Sequence, residues 1–217
     1  MKKGVIFDMD GTIWDSSDNV AKSWDMAVKK AGYADVEITR ANVQAAMGKT
    51  RDGFADRMLP FTTPGPQRNA LRKACEEFEN EYLREHGGIL FPRVLETLAA
   101  LKAMGYGLYV VSNCQSGYIE AFLSYYGIPL DGPDPLFSDI ECYGNNSLSK
   151  GQNIALIAKR NHLDAAVYVG DIQSDYESTC EAGFPFIHAA YGFGTIHADV
   201  PAIHTFSDLT TVVPTVV

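Results

Sequence analysis

The sequence predicts an α/β fold: a mostly parallel sheet covered by helices on both faces, with a helical segment inserted after the first strand. Three observations carry that reading. From residue 88 onward, short β-rich apolar runs alternate with helix-period patterns. A separate apolar run, Val5-Ile6-Phe7, stands near the start, well ahead of that alternation. The stretch between them, residues 16–87, shows helical spacing only. Alternation builds a parallel sheet because parallel neighbours need a crossover, and the crossover is usually a helix lying on one face.

Taken in order, Val5-Ile6-Phe7 is the opening strand. In the insertion, Val20, Trp24, Ala27, Val28 and Ala31 form one helical stripe, with Ser16, Ser17 or Asp18 as N-cap candidates and Gly32 as the stop. The turn-rich stretch Pro60 to Pro66 separates it from a second stripe of Leu71, Cys75, Phe78 and Tyr82. Gly87-Gly88 leads back. Pro92 then opens a helix with Leu95, Leu98 and Leu101 inward and Gly105 at its end. Leu108 to Val111 is a buried strand, and Tyr118 to Tyr126 a helix closed by Gly127. A helix from Lys150 to about Arg160 follows, with Ile154 and Ile157 on one face. The strand Ala166 to Val169, a helix from Asp175 to about Glu181, and the strand Pro185-Phe186-Ile187 complete the pattern. The expected division is a sheet domain of residues 1–15 and 88–217 and a helical domain of residues 16–87.

Composition narrows the functional classes. The 217 residues are 46% hydrophobic and 21% charged, enough for a real core and against disorder or coiled coil. A net charge of −9 argues against nucleic acid held through its phosphate backbone. A small anionic ligand stays compatible with it, since one local cation overcomes a global field. No apolar run approaches the roughly 20 residues that span a bilayer, so no membrane association is expected. Val5-Ile6-Phe7 is too short for a signal peptide. Cys75, Cys114, Cys142 and Cys180 lack a CxxC, and the five histidines lack metal-site spacing. Free thiols and a cytoplasmic location are expected.

The chemistry concentrates at strand ends. The opening strand runs straight into Asp8-Met9-Asp10-Gly11-Thr12, where open α/β sheets bind ligands, and Asp8 and Asp10 can face one cavity. Leu108 to Val111 ends in Ser112-Asn113, and Ala166 to Val169 ends in Gly170-Asp171, with Asp175 four residues on. Neighbouring strand ends bring these carboxylates together. At ~4 Å and an effective dielectric near 20, each pair repels by about 4 kcal/mol. A convergent set therefore calls for a cation, and all-oxygen ligation suits Mg²⁺. Any one of these Asp residues alone could cap a turn or a helix.

Asp8-Met9-Asp10-Gly11-Thr12, Ser112-Asn113, Lys150 and Gly170-Asp171 with Asp175 resemble, in order, the four motifs of the haloacid dehalogenase (HAD) superfamily of phosphotransferases. The resemblance spans essentially the whole chain and implies a Rossmann-like core with a small α-helical cap, closest in pattern to the phosphoglycolate phosphatase and β-phosphoglucomutase-like branch. It implies that Asp8 is the nucleophile and forms an aspartyl-phosphate. It implies Mg²⁺ held by Asp8, the backbone carbonyl of Asp10, and Asp171, with Asp175 orienting a metal-bound water or Lys150. Asp10 would be general acid and then general base. Ser112, Asn113 and Lys150 would bind the phosphoryl oxygens. An acid two residues after the nucleophile points to phosphatase or phosphomutase chemistry.

In the cap, Gly48-Lys49-Thr50-Arg51 resembles the substrate loop of β-phosphoglucomutase-like members, which makes Lys49 and Arg51 candidates for an anionic part of the substrate. Taken alone, Lys49 and Arg51 could be an exposed basic helix start, Lys150 a solvated one, and Ser112 a turn residue. Two positions depart from the pattern: Gly151-Gln152-Asn153 follows the lysine where a proline-containing stretch is common, and Ile172 replaces a Thr or Ser. The reading is a Mg²⁺-dependent phosphatase acting on a small phosphorylated metabolite. Its alternatives are a phosphomutase and a non-catalytic binding module.

Overall fold

The computed structural model describes residues 1–49 and 51–217, with the side chains of residues 51 and 52 outside the description. In chain order it contains β1 (Lys3–Phe7), β2 (Trp14–Asp15), α1 (Ser17–Lys30), α2 (Arg40–Gln44), α3 (Arg51–Met58) and α4 (Pro66–His86). These are followed by β3 (Ile89–Leu90), α5 (Val94–Ala103), β4 (Gly107–Ser112), α6 (Tyr118–Tyr125), β5 (Asp139–Cys142), α7 (Tyr143–Asn146) and α8 (Lys150–Arg160). The chain ends with β6 (Ala165–Gly170), α9 (Gln173–Ala182), β7 (Phe186–Ala189), β8 (Ala202–Ile203) and α10 (Leu209–Val216). The α/β class predicted from the sequence is correct.

Among the described residues, six strands form one parallel sheet in the order β5-β4-β1-β6-β7-β8. The chain runs outward from β1 to β4 and β5, then crosses back to β6 and runs outward on the other side. The carboxyl ends around β1 therefore flank the point where such sheets open a crevice. Along β1, β4 and β6 successive side chains go to opposite faces. Val5, Phe7, Leu108, Val110, Val167 and Val169 enter one core with Leu98, Phe122 and Leu209. Ile6, Tyr109, Val111 and Tyr168 enter the other with Ile154 and Ile157 of α8. Burial on both faces is why these strands read as continuous apolar runs.

Among the described residues four helices, α1 to α4, lie between β2 and β3, and those two short strands pair antiparallel, Trp14 with Leu90 and Asp15 with Ile89. The entrance and exit of the helical segment are thus tied together. α4 starts at Pro66, whose missing N–H suits the first helical turn, and it packs on α1 and α6.

Several expectations shift. Pro92 stands outside α5: Arg93 is left-handed (φ 63°), the helix starts at Val94, and its buried face is Val94, Leu98 and Leu101, leaving Leu95 37% exposed. Ala31 is exposed, because α1 ends at Lys30. On α4, Leu71 and Cys75 are buried as expected, but Phe78 and Tyr82 are only half-buried; Glu76, Glu79, Asn80 and Leu83 occupy the inner face. The edge strands β5 and β8 carry no strand signal in the sequence. All four thiols are free, and among the described residues no helix is long and apolar enough to cross a membrane.

Candidate active site

β1 delivers Asp8 directly into the crevice. The ladder continues one residue past the strand, the Asp8 N–H donating to the Val169 carbonyl at 2.9 Å, so the backbone of Asp8 is fixed against β6. The turn that follows is left-handed at Gly11 (φ 82°), and a Cβ there would collide with the Asp171 carboxylate. Glycine is required twice over, for conformation and for approach. Gly11→Ala is expected to cost about 1–3 kcal/mol through strain and to displace Asp171. Thermal melts of the variant beside the wild type check this.

Lys150 opens α8 and is 3% exposed, which rules out a solvated helix-start lysine. Its Nζ donates to Asp8 Oδ1 at 2.9 Å and to Asp175 Oδ1 at 2.6 Å. Burial opposes its charge, but Asp175 and Asp8 outweigh that and hold its pKa well above the usual lysine range. Ser149 and Gln152 explain the unusual sequence after the lysine. The Ser149 Oγ accepts from the Gln152 N–H, and Gln152 Oε1 accepts from the Ser149 N–H at 2.9 Å, a capping box that fixes the helix start.

Asp175 commits both oxygens: Oδ1 to Lys150, and Oδ2 to the N–H groups of Asp171 (3.1 Å) and Ile172 (3.4 Å). It therefore braces the loop after β6 as well as the lysine. Asp171 Oδ2 accepts from the Phe193 N–H at 2.7 Å, while its Oδ1 is buried with no hydrogen-bond partner among the described residues. Asp8, Asp171 and Asp175 each bring an oxygen to within 4.8 Å of the others.

Three buried carboxylates thus cluster around one ammonium that pairs with only two of them, Asp8 and Asp175. Burial pushes the Asp8 carboxyl up to about 7 against the pull of Lys150. Asp171 is pushed well above the carboxylate range by burial, then by Asp175 and Asp8. A divalent cation fits this set: the orphaned Asp171 Oδ1 and the second oxygen of Asp8 are hard donors needing positive charge.

Asp10 is held differently. Its carboxylate accepts from the Ser16 hydroxyl at 2.6 Å and from the Tyr118 hydroxyl at 2.7 and 2.9 Å. Burial pushes its pKa up to about 6, with the Ser16 and Tyr118 bonds acting the other way. The sequence marked Ser16 only as a cap candidate and Tyr118 only as a helix start. In the structure Ser16 makes no side-chain cap bond, its hydroxyl facing Asp10 and Tyr118 instead. Their signal was position alone, just after β2 and just after β4.

A cavity partly open to solvent joins these parts. Asp8, Asp10, Ser112, Asn113 and Lys150 line its sheet side; Lys49, Trp24 and Glu79 line it from the helical segment. Lys49 is exposed, and Arg51 lies outside the described side chains. The Asn113 amide reaches the Gly48 carbonyl at 3.5 Å. Gly48 is left-handed (φ 72°), and a Cβ there would strike the Ile172 side chain. Ile172 thus forms an apolar floor under the helical segment, an account of this departure from the usual Thr or Ser. Trp24 and Glu79 were not read as site residues, because Trp24 sits on an apolar stripe and Glu79 beside one.

The family described as haloacid dehalogenase-like hydrolase matches residues 5–189. This chain belongs to it. Among the HAD family's members, a phosphoglycolate phosphatase from Yersinia pestis is 31% identical over 222 residues, covering 95% of this chain and 91% of the relative. The phosphoglycolate phosphatase of Escherichia coli K12 is 27% identical, covering 88% and 82%. A crystal structure of a predicted phosphoglycolate phosphatase from Haemophilus somnus superimposes with a TM-score of 0.78 at 25% identity, covering 98% of each chain. CbbY from Rhodobacter sphaeroides, solved with phosphate, shares the fold with a TM-score of 0.77 at 20% identity over 96% of each chain. This HAD enzyme is a phosphoric monoester hydrolase.

Proposed function

We propose that the enzyme is a Mg²⁺-dependent phosphatase that hydrolyses a small phosphorylated metabolite through an aspartyl-phosphate on Asp8. The observation that carries this reading is the convergence of the Asp8, Asp171 and Asp175 carboxylates at the end of the central strand, where the Lys150 ammonium pairs with Asp8 and Asp175 and leaves Asp171 without a cation among the described residues.

Asp8 is the attacking group. Its backbone is fixed by β6 and its carboxylate by Lys150, so little freedom is lost on reaching phosphorus. Asp8, Asp171 and the backbone carbonyl of Asp10 would hold Mg²⁺, which supplies charge neutralisation between an anionic nucleophile and an anionic phosphate. Lys150 adds a fixed positive charge, Asp175 positions that ammonium, and Ser112 with Asn113 donates to the phosphoryl oxygens. Asp10, raised toward neutrality by burial, protonates the leaving oxygen and then takes the proton from the hydrolytic water. Residues 16–87 act as the cap, excluding water when seated on Ile172. Lys49 and Arg51 are its candidates for anionic substrate groups, and phosphoglycolate, named for the relatives, is the first ester to assay. The four free thiols suit a reducing compartment such as the cytoplasm.

Removing divalent ions with a chelator is expected to lower turnover of p-nitrophenyl phosphate at least ~100-fold, reversed by added Mg²⁺. Undiminished turnover in chelator would overturn the metal assignment. A sugar 1-phosphate substrate separates the mutase alternative: release of free phosphate supports hydrolysis, and stoichiometric sugar 6-phosphate supports transfer.

A further inference from the structure

The helical side of the cavity carries a buried acid that the catalytic reading leaves unused. Glu79, from the inner face of α4, lines the cavity and is 3% exposed. Its carboxylate accepts from the Trp24 indole N–H, a neutral donor, and the Gln115 amide beside it donates to Asn80 Oδ1 at 3.1 Å. Among the described residues no basic side chain forms an ion pair with it. Glu76, one turn earlier and on the same wall, is different, because the Arg72 guanidinium lies 3.6 Å from it.

Holding an indole N–H does not require a carboxylate. A buried carboxylate is costly unless a cation meets it, and a neutral acceptor would serve the indole as well. Burial pushes Glu79 up to about 8, with Trp24 and Gln115 lowering it and Asp10 and Glu76 raising it further. Beside Glu79, the Trp24 and Phe54 rings line the same cavity, edge to face at 5.3 Å. An acid next to aromatic rings is a chemistry that recognises organic cations, which favour its ionised form, whereas a substrate carboxylate placed there would oppose that ionisation. Lys49, the described basic residue lining the cavity from the helical segment, is exposed.

Resting on the phosphatase reading above, we propose that Glu79 selects the leaving group: the preferred substrates are phosphomonoesters whose alcohol carries a protonated amine, bound by the Glu79 carboxylate beside the Trp24 and Phe54 rings. Phosphorylated amino alcohols are the chemical class, in preference to phosphorylated hydroxy acids.

A panel of two-carbon esters matched in size isolates the charge: O-phosphoethanolamine, 2-hydroxyethyl phosphate and 2-phosphoglycolate, assayed with Mg²⁺ alongside p-nitrophenyl phosphate. The wild-type enzyme is expected to show kcat/KM for O-phosphoethanolamine at least tenfold above each of the other two. Glu79→Gln is expected to reduce the ratio of O-phosphoethanolamine to 2-hydroxyethyl phosphate at least tenfold, chiefly through KM. A wild-type preference for 2-phosphoglycolate or 2-hydroxyethyl phosphate overturns the proposal, as does an unchanged ratio in Glu79→Gln. The wild-type panel decides on its own if the variant does not fold. Hydrolysis of p-nitrophenyl phosphate alongside either overturning result leaves the phosphatase reading standing; no hydrolysis of any ester overturns that reading and this one together.

Discussion

Replacing Asp8 with asparagine is expected to lower turnover by at least three orders of magnitude, about 4 kcal/mol of lost transition-state stabilisation. The carboxamide keeps the shape and can still accept from Lys150, but it is a poor nucleophile and a neutral metal ligand. The fold should survive and become more tolerant of alkaline pH. In chelator, burial pushes the Asp8 carboxyl from its ordinary 3.8 up to about 7, so the folded state binds this proton more tightly. Stability from this group is present below about 4 and drains as pH rises toward 7. Asp8→Asn lacks that loss. Steady-state kinetics and metal-free melts at pH 5 and pH 7.5 check both halves. Retained turnover, or a steeper loss of stability with pH in the variant, would count against the assignment.

Lys150→Met carries the second large effect. Lys150 is the one cation that the described side chains place against Asp8 and Asp175. Methionine roughly matches its length without charge, leaving three carboxylates buried together. Removing one partner of a buried ion pair costs about 3–5 kcal/mol, which in a chain of this size lowers Tm by roughly 10 °C. Added Mg²⁺ is expected to stabilise the variant more than the wild type, since the ion then supplies the only local positive charge. Turnover falls at least ~100-fold even where the variant is folded. An unchanged metal-free Tm would show that the ammonium does not serve this buried pair.

The parts of this molecule that were legible in its sequence are those with local causes. β1, β4 and β6 are buried on both faces and so read as apolar runs, and a carboxylate straight after such a run can only lie at the strand's end. Asp8 and Asp171 were found that way, and the role of Lys150 came from the resemblance alone. The edge strand β5 was not legible, because Asp139 and Glu141 make it look polar. Arg160, at the end of α8, pairs with both, at 2.6 and 2.7 Å, a contact that no periodicity shows. The Ser16 and Tyr118 hydroxyls on Asp10 come from segments 102 residues apart. On α4 the apolar stripe pointed correctly to Leu71 and Cys75, yet the neighbouring face turns inward because Glu76 and Glu79 border a cavity rather than solvent. Burial at a ligand site breaks the rule that charged residues face water, and that is where the pattern misled.

The stereochemical course at phosphorus tests the central claim most directly. With a substrate made chiral by oxygen isotopes and sulfur, attack by Asp8 followed by water inverts phosphorus twice. The account predicts net retention in the inorganic thiophosphate released. Net inversion would mean that water attacks the ester in a single step, and Asp8 would then not be the nucleophile.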